Sequence, residues 1–342
     1  MTDSSAATLN RPRLGVVVVS YASSALLEAA LVPLAAAGAA VVVVDNFSGA
    51  QERRRVRGLA QRHGWTLVEP AGNPGFGAGV NAGVRRAAEL GCESYLLLNP
   101  DARVSAATAR SLQQTCLADP LALVSPRLLD PGGRVVFAGS TLDLVDGRTR
   151  RLAPASERPD PRSRPVAWLT AACLAVHRDL WRLTGGFDET FFMYWEDVDL
   201  CYRALAAGGH LVLREDLTAV HDQGGTQGER RGRAKSSLYY YYNCRNRLRF
   251  GVRHLGARAL VRWLRATPRV SVEILLRGGR RQLVGQPWLV WSAASGALAG
   301  AWTALLRLLR IPGPAPRDAR TLLPTGPPAA LPTPLPTVRG SR

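Results

Sequence analysis

Short apolar runs alternate with alanine-rich amphipathic stretches through the first 125 residues. Leu14–Ser20, Val41–Asp45, Thr66–Glu69 and Tyr95–Leu98 are β-branched or leucine-rich, the pattern of strands buried on both faces. Between them, Ala25–Ala37, Gln51–His63, Ala78–Leu90 and Ala106–Ala118 place apolar residues at helical spacing. Strand–helix alternation of this kind predicts an α/β fold, a mostly parallel sheet flanked by helices, with ligands at the carboxyl ends of the strands. Polar residues gather at those ends: Ser20-Tyr21, Asp45-Asn46, Asn73 and Asn99-Pro100-Asp101.

After Leu121 the alternation loosens. Pro131-Gly132-Gly133 predicts a hairpin turn and Arg150–Arg164 a Pro/Arg-rich loop, before a compact block, Trp168–Asp222, dense in polar residues. Tyr239–Arg249, Leu255–Arg265 and Pro268–Leu276 then read as three helical segments. The next stretch, Gln282–Leu306, runs 25 residues without a charge. That length could cross a bilayer, but its Ala, Gly, Ser, Gln and Pro make it weakly apolar, and an interfacial or protein-packed helix is expected. Ile311–Val338 holds nine prolines and predicts a disordered tail. Met1–Arg13 is polar, and Leu14–Val19 is too short for a signal-peptide core, so a cytoplasmic body is expected.

Composition changes this picture in one respect. The chain has 342 residues and a formal charge of +18, but the charge is uneven. From Asn243 onward 17 arginines face only Glu273 and Asp318, a balance of +15, whereas the first 242 residues carry +3. A near-neutral body with a basic C-terminal third suggests a phosphate-rich partner, nucleic acid or anionic lipid. Arginine supplies 43 of 44 basic residues, and codon usage in a GC-rich genome accounts for that preference. The five cysteines are dispersed with no CxxC pair, which excludes a disulfide framework and predicts reduced, buried thiols.

Three constellations could carry chemistry. Asn73-Pro-Gly-Phe-Gly77-Ala-Gly-Val-Asn81-Ala-Gly83 leads into a helix and, read from Gly77, fits the G-x-G-x-x-A pattern that lets backbone approach a pyrophosphate; it also fits a plain glycine turn. Leu96-Leu-Leu-Asn99-Pro-Asp101 ends a buried strand in hard oxygen donors suited to Mg²⁺ or Mn²⁺, or in a turn that caps the next helix. In Gly185-Gly-Phe-Asp-Glu-Thr-Phe-Phe-Met-Tyr-Trp195-Glu196-Asp197-Val-Asp199-Leu-Cys-Tyr-Arg203, three carboxylates crowd a helix start behind a run of aromatics. Dipole capping and an Asp199–Arg203 pair explain part of that cluster, while an apolar wall that raises a carboxylate pKa would suit a general base. His221 ends an apolar strand before Asp-Gln-Gly-Gly-Thr, where it could be a surface residue or a further metal ligand.

In order, VVVVSY, VVVVDNFS, NPGFGAGVNAG, LLLNPDARV, GGFDETFFMYWEDVDLCYR and HDQGG resemble glycosyltransferase family 2, in its rhamnosyltransferase-like branch of bacterial cell-wall and surface-polysaccharide enzymes. The resemblance covers about residues 14–250. It implies a GT-A fold holding a nucleotide-sugar, dTDP-rhamnose or a UDP-sugar, and a divalent metal, Mg²⁺ or Mn²⁺, with inversion at the anomeric carbon. On matching positions it implies that Ser20, Tyr21, Asp45 and Asn46 line the base and ribose pocket. Asn73, Gly77, Asn81 and Asn99 would line the donor channel, Asp101 and His221 would hold the metal, and Asp197 would be the base. Glu196 and Trp195 would face the acceptor, a glycan or polyprenyl-linked glycolipid. The sequence departs from the family's usual GGNN at Gly79-Val80-Asn81, and from its Gly-Ala at Ala171-Ala172.

The resulting division is a disordered 1–13, a catalytic domain over 14–250, a basic helical extension over 251–310 and a Pro-rich tail over 311–342. Two other readings are open: an NAD-type dehydrogenase built on Gly77, and a non-enzymatic protein that binds membrane or nucleic acid. Against the first, the glycine loop follows the third strand rather than the first, and hydride transfer has no use for EDVD. Against nucleic acid, the chain has no recognised motif, so the basic third is expected to hold a peripheral enzyme at the inner face of the cell membrane.

Overall fold

The computed structural model describes residues 13–152, 163–222 and 235–309. The expectations for both termini, for most of the Arg150–Arg164 loop and for the glycines after Asp222 lie outside these residues.

The first half follows the periodicity closely. Strands β1 (Arg13–Ser20), β2 (Ala40–Asp45), β3 (Thr66–Val68) and β4 (Cys92–Leu98) alternate with helices α1 (Ser24–Ala36), α2 (Ala50–His63) and α3 (Phe76–Glu89). They pair in parallel, in the order β3-β2-β1-β4. Val16–Val18, Val42–Val44 and Leu96–Leu97 are buried because the sheet is covered on both faces.

The second half is β5 (Ala102–Val104), α4 (Ala106–Ala118), β6 (Ala122–Leu129), β7 (Val135–Phe137), β8 (Ser140–Asp143), β9 (Thr149–Arg151), β10 (Pro165–Trp168), β11 (Cys173–His177), α5 (Arg178–Thr184), α6 (Glu196–Ala206) and β12 (His210–His221). The main sheet continues β4-β11-β6-β12-β5, with β7 on β6 as the expected hairpin, while β10-β8-β9 form a small separate sheet. This half is mixed rather than mostly parallel, because β11 runs antiparallel to both β4 and β6. It enters straight from β10, only four residues away, with no helical crossover to turn it parallel. On the far edge β12 pairs antiparallel with β5, and His221 comes opposite Ala102.

Four helices complete the described chain: α7 (Ser237–His254), α8 (Ala257–Leu276), α9 (Arg280–Gly285) and α10 (Trp288–Leu309). The two segments expected around Pro268 are one helix, since Leu260, Trp263, Thr267, Val270 and Ile274 carry a single buried face past the proline. The uncharged stretch divides at Gln286-Pro287, ahead of α10. Leu248, Phe250 and Trp263 share a core with Leu142 and Val166 of the small sheet and with Phe191 and Trp195, so α7 and α8 pack directly on the body.

Helix α10 crosses α7 backbone to backbone. A Cβ on Gly296 would sit 2.1 Å from the Tyr241 carbonyl oxygen, and one on Gly300 would sit 2.8 Å from that of Arg245. Replacing Gly296 with leucine should therefore push the helices apart, costing about 1–3 kcal/mol. Thermal unfolding checks this, and an unchanged midpoint would refute the close crossing.

Candidate active site

Several predicted donor-side residues do meet where β1 and β2 end. Asp45 is fully buried; one oxygen takes the Arg53 Nε hydrogen bond at 2.6 Å and the other, Oδ1, has no partner. Asn46 receives the backbone thread of this corner, its N–H donating to the Ser20 carbonyl at 2.9 Å. Its Nδ2 donates to the Gly75 carbonyl (2.8 Å) and to Asn73 Oδ1 (3.3 Å), leaving its own buried Oδ1 unpartnered. Ser20 pairs with Ser23 at 2.9 Å, and Tyr21 stands half exposed at the rim. Two buried acceptors without donors are costly in a closed fold and suit a ligand rich in N–H and O–H groups.

The glycine motif serves the protein itself. The space above Gly77 is filled by Phe187, whose Cβ lies 3.0 Å from an ideal Cβ there, and that above Gly79 by Asn46 and Val19. Asn81 is likewise engaged internally. Its Nδ2 donates to the Phe187 carbonyl (2.9 Å) and Glu189 (3.0 Å), and its Oδ1 accepts from the Phe187 N–H (2.9 Å). Occupied by side chains, these glycines offer no backbone cradle for a dinucleotide.

At the end of β4, the Asn99 N–H bonds the Ala172 carbonyl and its carbonyl accepts from Ala102, both at 3.0 Å, which shapes the turn that presents Asp101. Across the β5–β12 pairing, Asp101 Oδ1 lies 3.2 Å from His221 Nε2. The imidazole's other nitrogen, Nδ1, is buried and unpartnered. Among the described residues no group of three or more His, Cys, Asp or Glu gathers as a metal cage, so the pair stands as two donors.

The acidic loop closes the site from the other side. It starts at Gly186, whose φ of +71° is left-handed and where a Cβ would fall 2.7 Å from Asn81 Oδ1. It ends in two successive left-handed non-glycine residues, Tyr194 (φ 64°) and Trp195 (φ 77°), each of which costs on the order of 1 kcal/mol. Asn246, buried on α7, holds this turn by donating to the Met193 and Tyr194 carbonyls, both at 2.9 Å. Phe76 N–H donates to the Phe192 carbonyl at 2.8 Å and anchors the loop to the donor-side turn.

Three carboxylates then fall into three environments. Asp199 is wholly buried, 2.7 Å from Arg203 Nε and 2.6 Å from His254 Nε2. Burial alone would raise its pKa, but the His254 hydrogen bond and the Arg203 charge bring it below the usual value. Glu196 is buried with Oε2 unpartnered, and burial, then the charges of Asp197 and Asp199, lift it well above the carboxylate range. Asp197, half buried, accepts from the Val198 N–H (2.9 Å) and the Ala171 N–H (3.4 Å). Burial pushes its pKa up to about 6 against those hydrogen bonds and one from Thr170.

Trp195 does not face an acceptor. It is buried against Phe250 and Trp263, and its indole is part of the core. The α7 residues Asn246, Arg249, Arg253 and His254, all touching the acidic loop or α6, have no motif around them; the one local signal is an asparagine within an arginine-rich helix.

Asn246→Ala would leave two strained-turn carbonyls without their donor. It should cost about 1–3 kcal/mol of stability and raise hydrogen exchange at residues 193–197; wild-type protection there would refute the clamp.

No protein-family model matches the chain. It is 28% identical over 235 residues to the low-salt glycan biosynthesis hexosyltransferase Agl10 of Haloferax volcanii, covering 68% of this chain and 74% of that one. It is 28% identical over 297 residues to N-acetylglucosaminyl-diphospho-decaprenol L-rhamnosyltransferase of Mycobacterium tuberculosis, covering 79% and 94%. Its fold is similar to that of mannosyltransferase PcManGT from Pyrobaculum calidifontis, solved with GDP-Man and Mn²⁺, at a TM-score of 0.50 and 16% identity over 88% of both chains. By fold the chain is of the GT-A type, and by sequence it is similar to glycosyltransferases, a rhamnosyltransferase among them.

Proposed function

We propose that the protein transfers a sugar, best read as rhamnose, from a nucleotide-diphosphate donor to a hydroxyl of a cell-wall or polysaccharide glycolipid, with inversion. One observation carries this reading: the acidic loop leading to Asp197 is bonded, Phe76 N–H to Phe192 carbonyl, to the Asn73–Phe76 turn, and that turn accepts from Asn46 at the corner that holds the unpartnered Asp45 and Asn46 oxygens. The base and ribose of dTDP or UDP would lie at the corner of Asp45 and Asn46, beside the half-exposed Tyr21.

Asp197 is the base. Glu196 is buried, and burial with the charges of Asp197 and Asp199 lifts its pKa well above the usual value, whereas Asp197 is the more exposed of the two. Asp197 is ionised near neutrality and remains basic enough to take the acceptor's hydroxyl proton. As that O–H breaks, the oxygen bonds to the anomeric carbon from the face opposite the diphosphate, and the sugar–phosphate bond breaks with its electron pair on the diphosphate. Carboxylate and imidazole donors suit Mn²⁺ or Mg²⁺ binding, and the orphaned His221 Nδ1 marks a ring that the fold alone does not satisfy. Asp101 and His221 would hold such an ion, which supplies neutralisation of the diphosphate charge.

The acceptor's class fits the helical side of the molecule. Trp288–Leu309 spans 22 residues and contains an 18-residue stretch of mean hydropathy 1.4, long and apolar enough to cross a membrane by length and composition. Its Gly296 and Gly300 face is already taken by α7, whereas Trp288, Trp291, Leu298, Trp302, Leu305 and Leu309 lie exposed along the other. A helix with one packed and one open apolar face suits the membrane interface, with Arg280 and Arg281 on the preceding α9 and Arg307 in its last turn meeting anionic headgroups at the inner face of the cell membrane.

Asp197→Asn should abolish transfer while nucleotide-diphosphate binding persists, and wild-type turnover in this variant would sink the base assignment. The ionised form is lost as pH falls, so wild-type kcat should decline below about pH 6 and level off above it. Trp291→Ser with Trp302→Ser should release the protein from anionic vesicles at low salt. Sedimentation equal to wild type would contradict docking through this face.

A further inference from the structure

Helix α7 presents Arg245, Arg249 and Arg253 at four-residue spacing, one stripe of its surface. The fold neutralises only one of them. Arg253 lies 2.8 Å from Asp188 and 3.6 Å from Asp199. Among the described residues, no carboxylate lies within ion-pairing distance of Arg245 or Arg249. Arg249 donates to the Thr190 hydroxyl at 2.9 Å. Arg245 donates to Asn246 Oδ1 at 3.1 Å and rests over the Tyr242 ring at 5.9 Å.

Such an arrangement works against the free protein. Like charges one turn apart repel. Partial burial, and then the charge of Arg245, pull the Arg249 guanidinium below its usual pKa, against a smaller opposing effect of the Asp188 charge. A ligand carrying two or more negative charges removes that penalty, and guanidinium forks match phosphate oxygens.

The surroundings narrow the ligand. Thr190, the partner of Arg249, belongs to the acidic loop and donates to Asp188 at 2.6 Å. Phe192 of the same loop stacks on Tyr242, with ring centroids 5.3 Å apart, and offers a half-exposed aromatic pair beside the two arginines. On its other side α7 meets α10, where Gly300 packs on the Arg245 carbonyl and the outer face is apolar and open. None of the donor-side residues Ser20, Asp45, Asn46 or Asn73 hydrogen-bonds to α7.

We propose that Arg245 and Arg249 seat a second diphosphate, that of a lipid-linked acceptor, distinct from the donor diphosphate at the Asp101 side. The lipid chain would run toward the open face of α10, and the first sugar would lie on Phe192 and Tyr242 near the Asp197 loop. The acceptor's class rests on the function proposed above; the anion seat rests on the α7 charges.

The test is a binding measurement without sugar transfer, so it stands apart from the success of the transferase assay. Full-length protein would be sedimented with neutral phosphatidylcholine vesicles doped with farnesyl diphosphate or with farnesol. Binding of dTDP and UDP would be titrated in parallel. Wild type should prefer the diphosphate vesicles by about tenfold or more, and Arg245→Gln with Arg249→Gln should lose that preference while nucleotide affinity stays within about twofold. Arg249→Gln alone gives up a single hydroxyl contact and provides a folded control, expected to lose part of the preference. Equal binding of both vesicles by wild type would overturn the proposal, as would a preference that persists in the double variant. A parallel loss of nucleotide affinity would assign these arginines to the donor diphosphate and overturn it as well.

Discussion

The buried carboxylate of Asp199 is the joint on which the acidic side of the site depends. Held by Arg203 and His254, it fastens the first turn of α6 to α7. Arg203 extends the joint to the loop by donating to the Thr184 carbonyl and, at 2.7 Å, to the Gly186 carbonyl. A carboxylate kept ionised in the interior also sets the field its neighbours feel, and its charge contributes to the rise of Glu196. Three acids within four residues therefore separate into a paired structural carboxylate, a buried acid lifted well above the usual range and a group lifted to about 6. Splitting like groups by environment in this way is how one helix start can supply both a scaffold and a base.

The first half of the fold was legible because its strands are buried on both faces and its helices on one, so periodicity alone separates them. The second half was less so. Strands β7 to β11 are three to five residues long and are fixed by pairing with distant partners, as where β11 inserts between β4 and β6. The site shows the same limit. Asp101 and His221 lie 120 positions apart, and only the antiparallel edge pairing of β5 with β12 brings them to 3.2 Å. Asn81 and Trp195 carry chemistry that suits a ligand or a protein interior equally well. Sequence could not show that Asn81 meets the backbone of Phe187, 106 residues on, or that Trp195 meets Trp263.

The basic third also divides once its contacts are known. Arg247 is 1% exposed and points inward, donating to the Asp146 and Trp263 carbonyls and to the Thr267 hydroxyl. Burial brings its pKa down to about 10, and no carboxylate answers it among the described ion pairs. Arg253 neutralises Asp188. A formal +15 thus overstates the field that a distant anion would meet; among the described residues, Arg245 and Arg249 of α7 and the exposed Arg258, Arg262 and Arg265 of α8 are left for a partner, with Arg280, Arg281 and Arg307 around α10.

Helix α7 is consequently shared between two surfaces. One side grips the strained turn and the buried carboxylate through Asn246 and His254; the other meets α10 through Gly296 and Gly300 with no side-chain layer between. Side-chain layers absorb small shifts by rotamer changes, whereas backbone-to-backbone contacts do not. The open apolar face of α10 and the acidic loop are therefore held at a separation set by one helix diameter and by hydrogen bonds, so that docking along α10 would fix where the base stands relative to the surface it meets.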